Sequence, residues 1–352
     1  MKLLILTQKV SKSDPVFGFF FVWLCEFAKQ CESLIVICLE RGDGNLPDNV
    51  KVLSLGKEGG QSKIKYVFNF FRFIFKYRKE YDGVFVHMNQ VYVLLGGAIW
   101  RMWGKKVALW YNHRQKTFSL YIAEKLVGRI FTVTKDGFKI KSNKITITET
   151  HGVDVENFNA YFRERDFIDP IKITSVGRIT KIKNLDILID AISDLNQMNV
   201  DCELDLIGNP VNLEDKKYKD FLEGKIRNMD LISKIRFVGP IDFHKLPEFE
   251  SKYDISVNLC PTGGLDKAVI EGMALGMPVF VSNRAFEKYF GRYKDRLIFE
   301  ERNSEDLANK IKDLLRSEDK EDLINYLTNS AMDNFSTHKL VSRIIDFYGS
   351  SK

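Results

Sequence analysis

A glycine-rich segment, GGLDKAVIEGMA, carries the clearest chemical signal in this sequence of 352 residues. Glycines let the backbone approach a ligand closely, and a helix that begins near Asp266 points free N–H groups at an anion. A diphosphate suits such a place. The residues of this predicted anion site are Gly263, Gly264, Asp266, Lys267 and Ala268.

Glu271 lies four residues after Lys267, one turn further along the same predicted helix and on the same face. A carboxylate in this position can accept two hydrogen bonds from a ribose diol, as acidic residues do in dinucleotide sites. The alternative is an ordinary buried loop followed by a surface glutamate. Spacing alone leaves both interpretations open.

Two cations, Arg178 and Lys183, follow the predicted strand Ile171–Val176, which ends at Gly177. Ligands of open α/β sheets bind at the carboxyl ends of strands, so both cations would share an edge with the glycine-rich segment. Two cations there can neutralise a diphosphate without a metal. A solvated basic loop is the alternative.

The first half of the chain offers weaker candidates. His113 directly follows the predicted strand Lys106–Trp110 and could hydrogen-bond to a sugar or a phosphate, or serve packing alone. His87 ends a strand and has the same ambiguity. Gly18, which follows the first strand, could let the backbone approach a phosphate or could pack among phenylalanines.

Short apolar runs that alternate with helical stretches must position these residues. This rhythm is typical of βαβ units and parallel sheets, so we expect an α/β fold with two Rossmann-like domains. The polar segment 157–170 is the predicted linker, which gives domains at 1–160 and 161–334. The tail 335–352 is expected to add a helix to the first domain. Further predicted strands are Lys2–Thr7, Ser33–Cys38, Val50–Leu53, Gly83–His87, Cys202–Ile207, Lys234–Val238 and Ile255–Leu259.

Composition and motifs argue against a secreted, disulfide-bonded or membrane-spanning protein. Five scattered cysteines without a CxxC pair indicate free thiols in a reducing compartment. The N-terminus lacks a signal-peptide pattern, and no apolar run approaches the roughly 18 residues of a membrane span. We therefore expect a cytoplasmic protein. Walker A, HExxH, GxSxG and Cys/His metal motifs are absent from the sequence.

Charge is unevenly distributed. Residues 1–160 contain 24 Lys and Arg against 14 Asp and Glu, whereas the remainder contains 29 against 33. An anionic membrane surface, an anionic acceptor or nucleic acid could explain a basic first half. The segment Ser62–Tyr81 interleaves cations with phenylalanines, which suits either a membrane-surface helix or a core helix with a basic edge.

Four sequence elements resemble glycosyltransferase family 4, the retaining GT-B enzymes also described as glycosyl transferases group 1. The likeness spans nearly the whole chain and is most specific from His151 onward. The elements are His151-Gly152-Val153-Asp154 with Phe158, Ser175-Val176-Gly177-Arg178 with Lys183-Asn184, Phe237-Val238-Gly239, and the run from Val269 through Glu271 to Val279.

This resemblance implies two Rossmann-like domains that face each other across a cleft, with the donor nucleotide held by the second. Arg178 and Lys183 would hold the diphosphate and Glu271 the ribose, while Gly18 and His113 would lie near the transferred sugar. It implies a UDP- or GDP-sugar donor, a glycan or lipid-linked acceptor with possible contact to an anionic membrane, and neither a metal, another cofactor nor a nucleic-acid partner.

One position departs from the family pattern. Residue 263, eight before Glu271, is a glycine where the family usually has a glutamate that contacts the donor sugar. Asp266 or Lys267 is a hypothetical substitute. Two other functions stay open, a degenerate nucleotide-sugar-binding protein without transferase activity and a GT-B epimerase of UDP-sugars.

Overall fold

Parallel β-sheets form the centres of two structural units. The computed structural model describes residues 1–113 and 115–349, with Asp136 described for its backbone only. The first unit comprises Met1–Gly152 and the tail from Thr337, and the second comprises Val153–Ser336. The predicted boundary after residue 160 therefore lies eight residues beyond the observed one.

The described part of the first unit contains a seven-stranded sheet in the order β3-β2-β1-β4-β5-β6-β7, with every neighbouring pair parallel. Its strands are β1 (Lys2–Val10), β2 (Ser33–Arg41), β3 (Val50–Ser54), β4 (Gly83–His87), β5 (Lys106–Trp110), β6 (Arg129–Thr132) and β7 (Ile145–Ile147).

Helices cover both faces of this sheet. They are α1 (Gly18–Gln30), α2 (Lys63–Lys76), α3 (Val91–Met102), α4 (Phe118–Leu126) and the tail helix α14 (Thr337–Gly349). On one face α2, α3 and α4 enclose a core around Phe70 and Trp100. On the other, α14 packs against α1, and Tyr348 donates a hydrogen bond to the carbonyl of Val84 at 2.7 Å.

In the second unit the described sheet has five parallel strands in the order β10-β9-β8-β11-β12. They are β8 (Ile171–Val176), β9 (Cys202–Ile207), β10 (Ile235–Gly239), β11 (Ile255–Asn258) and β12 (Val279–Val281). Its helices are α5 (Val155–Asn159), α6 (Leu185–Gln197), α7 (Leu213–Asn228), α8 (Leu246–Glu250), α9 (Lys267–Ala274), α10 (Glu287–Phe290), α11 (Lys294–Leu297), α12 (Ser304–Arg316) and α13 (Lys320–Phe335).

Packing explains where the second unit begins. Helix α5 packs against α9, and the Asn159 side chain donates a hydrogen bond to the Ala274 carbonyl at 3.1 Å. Residues 153–160 therefore belong with the second sheet rather than with the first. At the other end α13 ends at Phe335 and α14 begins at Thr337, so the tail helix begins two residues later than predicted.

Candidate nucleotide-binding site

The loop from β11 to α9 is held in shape by side chains at the carboxyl ends of two strands. Buried Asn258 accepts a hydrogen bond from the Cys260 backbone N–H at 3.1 Å. From β12, buried Asn283 donates to the Gly264 carbonyl at 2.7 Å, and Ser282 donates to the Cys260 carbonyl at 3.2 Å. The glycines of the loop therefore follow a fixed path.

Helix α9 begins where the sequence predicts. Asp266 is its N-cap, and its carboxylate accepts a hydrogen bond from the Ala268 N–H at 3.3 Å. At Gly272 the helix lies so close to the sheet that a Cβ would stand 3.1 Å from the Val279 side chain. The first turn thus opens directly above the carboxyl end of β11, where an anion can meet its N–H groups.

Glu271 is buried one turn into α9, which excludes the surface-glutamate interpretation. Burial raises the pKa of its carboxyl, while the charge of Lys267 on the same face opposes that rise. Burial also lowers the pKa of Lys267, which the carboxylates of Glu271 and Asp266 counteract. Burial therefore disfavours the charged form of both groups, while each group favours the charged form of the other.

Lys183 reaches the same place from the loop after β8. Its stem lies over Gly177, where a Cβ would stand 3.0 Å from both Cε and Nζ. Its ammonium lies 2.5 Å from the Asp266 carboxylate. The next residue, Asn184, donates a hydrogen bond to the Leu259 carbonyl at 3.1 Å and so joins the two loops.

Arg178 follows Gly177 at the same edge of the sheet, and its side chain is exposed. It is close enough to Asp215 to help lower the pKa of that carboxyl, although a hydrogen bond from Thr180 contributes more. Arg178 is therefore available to a ligand at the rim, whereas Lys183 is already engaged inside.

In the first unit, Gly18 is the first residue of α1 and donates its N–H to the Asp14 carbonyl at 2.8 Å. His113 is exposed after β5, and its backbone N–H bonds to the Gly137 carbonyl at 2.8 Å. Both lie beyond the carboxyl ends of parallel strands, as predicted. Their contacts with a sugar stay predictions.

His87 has a structural environment. Its ring is buried, stacks on Phe20 with centroids 4.0 Å apart, and lies 3.3 Å from the hydroxyl of Thr7. Phe19 and Trp23 meet it edge-on at 5.9 and 5.7 Å. The structure thus favours the packing interpretation over a ligand contact for this histidine.

Comparison with known families identifies the second unit. Residues 159–330 match the sequence profile of the family described as glycosyl transferases group 1. We call residues 159–330 the group 1 domain. The predicted enzyme class, glycosyltransferase, is confirmed at the level of this domain, which contains Arg178, Lys183 and Glu271.

A curated relative covers a similar share of the chain. Spore coat protein SA of Bacillus subtilis (strain 168) is 27% identical over 187 residues, which are 49% of this chain and 47% of that protein. The chain thus spans about half the length of the curated relative that it matches.

Solved structures resemble the whole chain. Anabaena HepE in complex with UDP and glucose has a TM-score of 0.75 at 16% identity over 100% of both chains. A glycosyltransferase from Rickettsia africae has a TM-score of 0.76 at 16% identity, covering 99% of this chain and 97% of that one. WaaG, a glycosyltransferase involved in lipopolysaccharide biosynthesis, gives 0.67 at 12% identity over 99% and 100%. The predicted GT-B fold of two parallel-sheet domains is confirmed.

Some polar residues of the group 1 domain escaped prediction from the sequence. Asn258 and Asn283 each end or follow an apolar strand, and a polar residue at such a strand end could have indicated them. Glu250, at the end of α8, is buried, and its Oε1 has no hydrogen-bond partner among the described residues. Burial, followed by the Glu271 charge, raises the pKa of Glu250 well above its usual value.

Helix α2 of the first unit is apolar on two sides. Phe70, Phe73 and Ile74 are buried, yet Ile64 and Phe68 remain 83% and 61% exposed. Exposed cations share the outer surface, namely Lys63, Lys65, Arg72 and Lys76. The core-helix and membrane-surface interpretations therefore apply to different faces of one helix.

Within residues 1–113 and 115–349, no group of three or more His, Cys, Asp or Glu side chains is arranged to hold a metal ion. In the same part of the chain, no helix combines the length and the apolar character that crossing a bilayer requires.

Proposed function

We propose that this protein transfers a sugar from a UDP- or GDP-sugar to an acceptor hydroxyl, with retention of the anomeric configuration. The observation that carries the proposal is the meeting of Lys183, the first turn of α9 and buried Glu271 at one edge of the group 1 domain. UDP bound to HepE, a structure of the same fold, supports a nucleotide donor.

Each part of the site has a proposed task. Glu271 accepts hydrogen bonds from the ribose hydroxyls, and the first turn of α9 with Gly263, Gly264 and Ala268 faces the diphosphate. Lys183 and Arg178 stabilise the negative charge that grows on the departing diphosphate. Because these cations and N–H groups supply positive charge, no divalent metal is required in the proposed reaction.

The acceptor side is assigned to the first unit. Gly18 and His113 are proposed to contact the transferred sugar, and the acceptor is proposed to be a glycan or a lipid-linked glycan in cell-surface polysaccharide, glycolipid or glycan assembly. The exposed apolar and basic surface of α2 suits peripheral contact with an anionic membrane, on its cytoplasmic face.

Thermal-shift screening with UDP-, GDP- and ADP-sugars tests the donor proposal. We expect a rise in Tm with one nucleotide class in the absence of metal, and loss of that rise in Glu271→Ala. Glu321→Ala, an exposed glutamate on α13, is the matched control and should keep the full shift. A shift that survives Glu271→Ala would refute the assigned ribose contact.

Binding without transfer is the second candidate function, and Gly263 favours it because a side chain is missing where donor-sugar contacts are usual. Incubation of the donor with and without acceptor extracts separates the candidates. Transfer releases nucleoside diphosphate only when acceptor is present, an epimerase alters the donor sugar without acceptor, and a binding protein does neither.

A further inference from the structure

The proposed donor site consists of Arg178 and Lys183 after β8 and of the loop and helix from Gly263 to Glu271. Within it, Asp266 makes more contacts than the capping of α9 requires. Its Oδ2 accepts from the Lys183 ammonium at 2.5 Å, from the Asn258 amide at 3.0 Å and from the Cys260 thiol at 3.3 Å. Its Oδ1 caps α9 through the Ala268 N–H. One carboxylate therefore ties the loop after β8 to the first turn of α9.

We infer that Asp266 is a positioning residue, which holds Lys183 in its charged form and fixes the ammonium beside the first turn of α9. The inference rests on the proposed function, because Lys183 is the cation assigned to the diphosphate. It also replaces the hypothesis that Asp266 contacts the donor sugar, since the carboxylate is already occupied by Lys183, Asn258 and Cys260.

The surroundings of Lys183 explain why a counterion is needed. Its side chain is 14% exposed and lies over Gly177, so water can solvate the ammonium only in part. Burial alone would lower the pKa of Lys183, but the Asp266 carboxylate, with a smaller contribution from Cys260, outweighs burial and raises it. Without Asp266 the amine would lose its proton at a lower pH and with it the charge that the diphosphate requires.

Position also depends on the carboxylate. Lysine has four rotatable bonds and a point charge, so an isolated ammonium samples many places. The contact with Asp266 restricts it to the rim of α9, while Asn184 clamps the backbone next to it. The site therefore brings a cation and a helix N-terminus together before a ligand arrives.

Asp266→Asn tests the inference, because asparagine keeps the size and the capping ability of the side chain but removes its charge. The ligand is UDP, GDP or ADP, whichever is the nucleotide of the sugar donor that raises Tm in the thermal-shift screen. The readout is the pH dependence of its binding, measured by calorimetry from pH 7 to 10. Wild type should bind evenly across this range. In Asp266→Asn the affinity should fall within this range, because the Lys183 amine should lose its proton about 1 to 3 pH units lower than in wild type, where that loss lies above pH 10.

Three further variants make the result specific. Asp266→Glu, which restores the charge, should restore the wild-type pH profile. It also shows whether the site tolerates a change of side chain at this position if Asp266→Asn folds poorly. Lys181→Ala, an exposed cation in the same loop, should leave the profile unchanged. In a Lys183→Met background, Asp266→Asn should add no pH dependence, since the titrating amine is gone.

Titration of Lys183 by 13Cε NMR separates failure of the inference from failure of the proposed function. If wild type binds no nucleoside diphosphate, the proposed donor site fails, yet the spectra still report whether the Lys183 amine titrates. An amine that stays charged to pH 10 in wild type and titrates below it in Asp266→Asn supports the inference. Identical titration in both proteins overturns it.

Discussion

Charged residues of the proposed donor site and of helix α2 are arranged in opposite ways. In the donor site Glu271 is buried, and Lys183 and Asp266 are partly buried and lie 2.5 Å apart, while Arg178 alone of the assigned charges is exposed at the rim. On α2 the cations project from an exposed surface that also contains Ile64 and Phe68. The first arrangement can orient a small ligand atom by atom, whereas the second can attract only an extended surface.

The largest expected effect tests whether the donor site acts on the departing group. Lys183→Ala should lower kcat by about 10²–10³, because one charge-stabilising donor is lost from a preorganised site. Turnover measured as nucleoside diphosphate release gives the value. Lys181→Ala provides the matched control, and equal losses in both variants would indicate general charge rather than a specific contact.

Close backbone packing beneath the donor loops gives the second prediction. At Gly208, where φ is +135°, a Cβ would stand 1.9 Å from the Gly177 carbonyl oxygen. Gly208→Ala should therefore destabilise the protein by about 2–4 kcal/mol in urea unfolding.

A second glycine serves as the control. Gly224, within helix α7, has open space around its missing Cβ. Gly224→Ala should stabilise by about 0.5–1 kcal/mol. If both alanines behave alike, the path of the loop after β8 is not set by this contact.

The buried carboxyl of Glu250 predicts a pH dependence. Its pKa is raised on folding, so the folded state binds a proton that the unfolded state releases, and stability falls as pH rises above the unfolded value near 4.3. Glu250→Gln should abolish that loss and be about 1–2 kcal/mol more stable than wild type at pH 8, with little difference at pH 4. Thermal unfolding at both pH values measures it.

Glu248, exposed on the same helix, supplies the control. Glu248→Gln should leave the pH dependence of Tm as in wild type. A pH dependence in Glu250→Gln as large as that of wild type would contradict the assignment to Glu250.

The smallest effect concerns α2. Lys76→Gln should weaken binding to vesicles that contain anionic lipid about fivefold, since a basic residue at such a surface contributes about 1 kcal/mol. Co-sedimentation with vesicles measures it, and Lys217→Gln on α7 of the second unit controls for total charge. Equal partitioning of both variants and wild type would remove α2 as a membrane contact.

Sequence periodicity was sufficient for much of the fold. The strands Gly83–His87, Ile171–Val176 and Cys202–Ile207 were predicted with their observed bounds, because buried parallel strands are short continuous apolar runs between turn residues. Helices α7 and α13 were not predicted. Helix α7 is strongly polar, whereas α13 buries Leu323, Leu327 and Phe335 at helical spacing, and this pattern could have indicated it.

The site shows a similar division. Local spacing placed Asp266, Lys183 and Glu271 at one edge, because chain order alone brings strand ends together in a parallel sheet. Their bonds could not be predicted, since the contact between Lys183 and Asp266 spans 83 positions of the sequence. The burial of individual side chains could not be predicted either, because sequence spacing does not show that Glu271 is buried and Arg178 exposed.

Calorimetric titration without added metal tests the central claim most directly. The ligand is the nucleoside diphosphate whose sugar derivative raises Tm in the thermal-shift screen. The account predicts binding to wild type and at least tenfold weaker binding to both Lys183→Ala and Glu271→Ala, while Lys76→Gln on α2 binds as wild type does. Equal affinity in all four proteins would contradict the assignment of the donor site to this edge of the group 1 domain.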